Sequence, residues 1–416
     1  KIFPFSGYLP ARDKVEKVVS RPYDKYHADE VEKIVQENAF SFLNVIKPLL
    51  AKGIHVENPS DPATLRDSRL KFEQFAREGV FHQSESPCFY IYRQIKPDFV
   101  YTGIVATISS GDYRNNVIRI HEQTLAQREE KLRDYLKVVG INAEPVMFTY
   151  PHNSAIDGLM EKLTSAPPHF YFQADGKEHL LWQIISSEDI RKIEQAFLSI
   201  GHVYVADGHH RSASSVLLSE ELALQYPDSA EDAPWKRFMG IFFPDHNMQL
   251  LAFHRLLKNT GGLSFGEVME RLQQTFYVDK RDEVDFNPSA PCEFSMFANN
   301  SWYALRFKVP PANANQFLDG ELLNDYILRP VFGVQDIRKD SRIDFVPGPE
   351  GSKALRKKVE QGKAAIAFGL YPVSFEQFFE FSDKGKTMPP KSTWFEPKLL
   401  NGLVIYDLEI PGNEHS

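Results

Sequence analysis

The sequence predicts a mixed α/β chain of the α+β class, on three observations. Segments of strand and helix character alternate along its 416 residues, as in chains that layer helices on sheet. Hydrophobic residues make up 42% and charged residues 25%, the balance of an ordinary globular protein and not of a disordered or fibrous one. A chain this long buries about three quarters of its unfolded surface and needs no staples. Its two cysteines, Cys88 and Cys292, form neither a disulfide framework nor a zinc module.

Length implies two to three domains at about 150 residues each. The segments divide into an N-terminal α+β part (1–110), a central core (111–260) and an additional C-terminal α+β domain (261–416). Residues 28–38 have an amphipathic helical pattern, and 62–79 a longer one ending at Gly79. Residues 88–95 and 100–108, rich in β-branched and aromatic side chains around Lys96-Pro97-Asp98, predict a hairpin. A short strand, 118–123, leaves through a polar exit. Thr124 is placed to cap the next helix, with Gln127 completing a capping box and Gly140 ending it.

A buried strand follows at 145–150, then a hairpin at 169–184 turning on Asp175-Gly176. A helix fits 187–199 behind Ser186 or Ser187. The apolar strand 202–207 leads to a helix from about Arg211. Residues 238–244 and 248–257 predict a strand pair, and 258–264 a boundary. Beyond it lie a helix (265–277), a hairpin (292–297 with 301–309), a buried strand (364–373) and a short helix. The Pro- and Lys-rich stretch 384–405 keeps large apolar residues, so it predicts an ordered loop over a surface.

Charge narrows the function. With 48 Lys+Arg against 56 Asp+Glu, net −8, a broad nucleic-acid footprint is not expected. No run approaches 18 uncharged apolar residues, so no membrane partner is expected. The first residues carry no apolar signal core, and two thiols fit a reducing compartment, so the expected location is cytoplasmic. The 32 Phe are expected in cores and on sheet faces.

The sharpest chemical feature is Ala206-Asp207-Gly208-His209-His210-Arg211, between an apolar strand and a helix continuing through Ser212. A strand, a Gly turn and a helix start make an anion cradle, because the first helical N–H groups are unpaired and the dipole favours negative charge. Gly208 permits close approach of a ligand, and Arg211 offers a fork that matches phosphate oxygens. Asp207 could bind a metal or accept a proton, and both His could donate to phosphate. Metal ligation by His209 and His210 together is disfavoured, since adjacent side chains on extended chain face opposite ways. The plainer reading is a polar surface loop.

Three weaker features accompany it. His121-Glu122-Gln123-Thr124 leaves a strand, and Glu122 there could act as general base, hold Mg2+, or serve only a cap or salt bridge. Lys391, Ser392 and Thr393, stiffened by Pro389-Pro390, could grip phosphate, though P-loop glycines are missing. Tyr23 and Asp24, in Arg21-Pro22-Tyr23-Asp24, are substrate-contact candidates in what is otherwise a turn, as is His121.

These residues resemble a known family. ADGHHR (206–211) after a short apolar strand is similar to the phosphate-binding motif of the ParB/sulfiredoxin-like superfamily, and to the DGHHR of free L-serine kinases. RPYDKY (21–26), NAFSFLNV (38–45), IHEQT (120–124), NAEPVMFTY (142–150) and MPPKSTWFEPKL (388–399) resemble landmarks of a large bacterial family of unknown function. The resemblance implies a ParB/sulfiredoxin-like nucleotide-binding core and a phosphotransferase using ATP or ADP with Mg2+, on a small hydroxylated metabolite, L-serine first. It implies catalytic roles for Asp207 and His209 and phosphate contacts from Gly208, His210 and Arg211, and Ser212 at the helix start is a further phosphate-contact candidate. The catalytic Glu of the serine kinases has no clean counterpart, and Glu122 is the best-placed substitute. A homodimer is compatible with this reading. The alternatives are a ParB-like nucleotide switch, for which no basic helix-turn-helix is visible, and a phosphatase using the same loop.

Overall fold

The computed structural model describes residues 1–50, 53–55, 60–312, 317–389 and 391–412. It is a mixed α+β structure with two large sheets, and its contacts divide it into two compact units. The first comprises Lys1–Met248 and Pro397–Ser416, the second Gln249–Glu396.

The first unit is built on nine strands: β1 (Ile2–Phe3), β2 (Phe89–Lys96), β3 (Phe99–Ser109), β4 (Ile118–Arg119), β5 (Val146–Tyr150), β6 (Phe170–Ala174), β7 (Lys177–Ile184), β8 (Val203–Asp207) and β9 (Arg237–Pro244). Their order is β4-β8-β5-β9-β3-β2-β7-β6, with β1 beside β3. β4 runs parallel to β8 and β5 parallel to β9, whereas β8 and β5 are antiparallel. All five residues of β5 are buried, as expected of a strand covered on both faces. Phe148 of β5 stacks on Phe242 of β9 at 4.8 Å. Gly240 makes room for that ring, since a Cβ there would lie 2.5 Å from Phe148.

Helices α1 (Ala28–Glu37), α2 (Pro62–Arg77), α3 (Ala126–Val139), α4 (Ser154–Thr164), α5 (Ser187–Phe197) and α6 (His209–Gln225) belong to this unit. Ile156 and Met160 of α4, Ile193 and Phe197 of α5 and Val216 of α6 share the core of Phe148 and Phe242. Helix α3 packs on α6, and Lys137 holds Glu221 at 2.6 Å across the pair.

The second unit has seven strands among the described residues: β10 (Gln249–Leu257), β11 (Phe276–Arg281), β12 (Glu293–Ala298), β13 (Ser301–Phe307), β14 (Ile343–Pro347), β15 (Ile366–Gly369) and β16 (Thr393–Glu396). Their order is β11-β13-β12-β15-β10-β14, with β16 beside β10. Helices α7 (Phe265–Thr275), α8 (Gly351–Glu360) and α9 (Phe375–Asp383) accompany it. Leu305, Phe294, Met296 and Phe368 are buried in its core.

Five expectations need correction. Residues 238–244 and 248–257 are strands but not a pair: β9 joins the first sheet and β10 the second. Two apolar runs around the short turn Asp245–Asn247 have the local signature of a hairpin, and only pairing at a distance separates them. The unit boundary therefore falls at 248, and 258–264 lies inside the second unit. Nor is the chain divided at 110, because β3 pairs with β9 from beyond that point. At α3, Leu125 is the N-cap residue and no side chain caps it, so the Thr124 capping box does not form, although Gly140 ends the helix as expected. The helix after β8 starts at His209 rather than near Arg211.

Candidate functional site

The order of strands explains why the chemistry gathers where it does. β4 and β8 are parallel neighbours, Val203 opposite Ile118 and Tyr204 opposite Arg119. Their exits therefore emerge side by side, one carrying His121-Glu122 and the other Asp207-Gly208-His209. On the other side of β8 a bulge between Val205 and Asp207 shifts the pairing with β5, re-aiming the strand end as bulges do.

Gly208 turns the chain with φ 99° and ψ 29°, a left-handed conformation that costs little only for glycine. A Cβ there would also meet the Arg211 guanidinium at 3.1–3.2 Å. Helix α6 opens without a side-chain cap, and its first bond runs from the Ser212 N–H to the Gly208 carbonyl at 2.9 Å. The preceding N–H groups are the unpaired donors of a helix start, at the positive end of a 17-residue dipole.

His121 and His209 meet edge to face, ring centroids 4.4 Å apart, and both are buried. Burial holds His209 neutral, at about 4, with His210 and Arg211 adding to the effect and Asp207 opposing it. Burial and the His209 ring push His121 well below its ordinary value. His209 Nε2 and His210 Nδ1 are buried with no hydrogen-bond partner among the described residues. Ligand atoms of His121, Glu122 and His209 lie within 4.8 Å of one another.

Asp207 accepts from Lys398 Nζ at 2.7 Å and faces Arg211 at 3.9 Å. Burial opposes its charge, but Lys398 and Arg211 outweigh that and hold the carboxyl well below the carboxylate range. Arg211 pairs with Glu144 Oε1 at 3.0 Å and donates to the Glu144 carbonyl at 3.3 Å and to the Pro145 carbonyl. Arg211 also lines a cavity of about 240 Å³ with apolar walls, among them Phe42, Leu136 and Phe238, and with Tyr23 and Glu144 as further polar edges. Burial raises Tyr135 in its lining to about 12.

The profile of the family described as protein of unknown function (DUF1015) matches residues 2–322. The chain belongs to this family. No curated protein matches it. Among solved structures it is similar to free serine kinase in complex with AMP, at 14% identity and TM-score 0.34 over 71% of this chain and 88% of that one. It is also similar to a conserved hypothetical protein from Pyrococcus furiosus, at 14% identity and TM-score 0.34 over 73% and 96%. A third is SbnI with a C-terminal truncation from Staphylococcus aureus, at 14% and 0.36 over 71% and 85%.

In this DUF1015 member the expected site residues separate into groups. His121, Glu122, Asp207, Gly208, His209 and Arg211 come together. His210 turns toward α3: burial and Arg128 lower it, against Glu129. Ser212 does not face the helix start, because its buried hydroxyl donates to the His209 carbonyl at 2.9 Å. Asp207 is engaged by Lys398 and Arg211, so Glu122 is the carboxylate in the histidine group. Tyr23 edges the cavity, with Lys47 Nζ 4.7 Å from its ring centroid. The side chain of Asp24 lies outside the described residues.

Lys391, Ser392 and Thr393 belong to the second unit. There the Lys391 carbonyl accepts from Arg255 at 3.1 Å, its ammonium lies 5.1 Å from the Phe253 ring centroid, and Ser392 donates to the Pro389 carbonyl at 2.7 Å. Thr393 opens β16 opposite Ala252. Two further residues of the site, Glu144 and Lys398, carry no local mark in the sequence. They fall inside the NAEPVMFTY and MPPKSTWFEPKL stretches, and that was the available signal.

Proposed function

We propose that this site is that of a nucleotide-dependent phosphotransferase on a ParB/sulfiredoxin-like core, a kinase for the hydroxyl of a small metabolite, with L-serine the first acceptor to test. The observation that carries the reading is the uncapped start of α6 on Gly208, beside the neutral His209 and Glu122. Such a start binds phosphate through its backbone N–H groups and its dipole, and phosphoryl transfer depends mainly on positioning and charge neutralisation. The DGHHR resemblance points the same way.

The N–H groups of the first α6 turn hold the transferring phosphate, and Arg211, already anchored on Glu144, orients it. Lys398 and Asp207 are a positioning pair that fixes the strand exit. The apolar cavity beside Arg211 takes the nucleoside end of ATP or ADP. The acceptor oxygen attacks the terminal phosphorus, the bond to the departing nucleotide breaks, and the hydroxyl proton passes to Glu122. His209, neutral and with Nε2 unengaged among the described residues, is placed to hydrogen-bond the acceptor.

The histidine group offers two imidazoles and one carboxylate, whereas magnesium prefers oxygen and commonly takes one carboxylate together with phosphate oxygens and water. Glu122 fits that pattern, and in the alternative to its role as base it would hold a nucleotide-borne Mg2+, whose contribution is neutralisation of phosphate charge.

The experiment is incubation with L-serine and ATP or ADP, with O-phosphoserine detected by mass spectrometry. Turnover that falls at least about 100-fold in Arg211→Ala is expected. Wild type and R211A equally silent across small hydroxylated amino acids would overturn the proposal. Inorganic phosphate without phosphoserine would indicate the hydrolase, and duplex binding that weakens steeply with salt the ParB-like switch.

A further inference from the structure

The other end of β5 carries a second cluster that the proposed kinase does not use. β5 and β9 are parallel, and their last paired residues are Tyr150 and Pro244. Two residues beyond each stand His152 and His246. The parallel register delivers both imidazoles to one spot, ring centroids 4.9 Å apart. Asp157, in the first turn of α4, faces them: Oδ2 lies 2.8 Å from His152 Nδ1 and 3.4 Å from His246 Nε2. Ligand atoms of the three residues fall within 4.8 Å of one another. β8 is antiparallel to β5, so the Asp207 turn lies at the opposite end of the strand. Five residues of β5 put about 13 Å of extended chain between its ends, at roughly 3.3 Å per residue.

The atoms are arranged as ligands more than as an ordinary ion pair. Both carboxylate oxygens of Asp157 are buried, and neither has a partner in hydrogen-bonding geometry among the described residues, despite the short contact to His152. Carboxylate oxygens removed from water without such a partner are stabilised by a nearby cation. The second nitrogen of His246, Nδ1, lies 3.5 Å from Asp245 Oδ1, and that oxygen accepts the His246 backbone N–H at 2.7 Å. An imidazole that faces a shared centre through one nitrogen and a fixed carboxylate through the other is the usual arrangement of a metal-bound histidine.

We propose that His152 Nδ1, His246 Nε2 and Asp157 Oδ2 form a divalent transition-metal site of the zinc class, with Asp245 orienting His246. Two imidazoles and one carboxylate suit Zn2+ and disfavour Mg2+. Both histidines are exposed, so a fourth position is open to water or to a ligand, as in sites that do more than brace a fold.

The test is titration of the metal-stripped, tag-free full chain with Zn2+ against a chromophoric competitor. Wild type is expected to take up one equivalent more than the H152N/H246N double variant. Asp157→Asn should weaken that equivalent by about 100-fold and Asp245→Asn by about tenfold. Equal Mg2+ should not displace it. H121N/H209N, which removes the other histidine group, should retain it. Identical stoichiometry and affinity in wild type and H152N/H246N would overturn the proposal and leave an ion pair only. Should the double variant fail to fold, the zinc-edge absorption spectrum of the wild-type complex decides. Imidazole scattering is expected from this site in the H121N/H209N background, and an all-oxygen shell there overturns the assignment.

Discussion

At the start of β5, two histidines and a carboxylate, His121, His209 and Glu122, meet with both rings buried. At its end His152, His246 and Asp157 meet with both rings exposed. The residue types are the same and the surroundings opposite. In the first group desolvation decides: His209 stays neutral and the charges around it are carried by Asp207, Arg211 and Lys398. In the second it is the carboxylate oxygens that are enclosed, while the rings reach solvent. Side-chain composition therefore does not tell the proposed helix-start anion site from the proposed cation site. What separates them is which atoms burial deprives of water.

The largest expected effect tests whether the two ends share one support. Phe148 lies between them, fully buried on Phe242. Phe148→Ala should cost about 3–5 kcal/mol in urea unfolding and impair phosphate and zinc binding together. A loss under about 1 kcal/mol would show that the ends are held independently. Next is Gly208→Val, which puts a branched side chain at φ 99° against Arg211. Roughly 1–3 kcal/mol of strain is expected, with nucleotide affinity lost by calorimetry and zinc affinity at the far end unchanged. Parallel loss of both would mean that the two ends of β5 are not independent.

The third expectation concerns pH. His209 and His179 are each lowered to about 4, chiefly by burial. Between roughly pH 6.5 and 4 the unfolded chain then binds protons that the folded chain refuses, so each contributes stability that is complete above about 6.5 and drains away toward 4. The slope is about 1.4 kcal/mol per pH unit for each group. His209→Asn should flatten unfolding free energy against pH by one proton, and an unchanged slope would deny that His209 is held neutral. The smallest effect belongs to the exposed end. His152→Ala in metal-free buffer should change stability by under about 0.5 kcal/mol, while abolishing the stabilisation that zinc gives wild type. A large loss without metal would mean that the ion pair is itself structural.

Much of this architecture was legible in order along the chain. The hairpins at 88–108 and 169–184 and the helix ended by Gly140 follow from local alternation, turn residues and caps. The ADGHHR turn was visible as well, because a glycine between an apolar strand and a helix is itself a local statement about backbone geometry. The capping box at Thr124 failed because the helix opens one residue later, on Leu125, which offers no side-chain cap, so local capping preference did not decide that boundary.

By itself, then, the sequence determined the elements, the acidic balance and the glycine-opened helix start, since each depends on neighbours within a few residues. Tertiary structure alone decided that 244 and 249 belong to different sheets, that Lys398 reaches Asp207 across 191 positions, and that parallel β5 and β9 bring His152 beside His246. Those facts rest on strand order and register. Pairing at a distance is set by which apolar faces bury one another, and no local pattern encodes it.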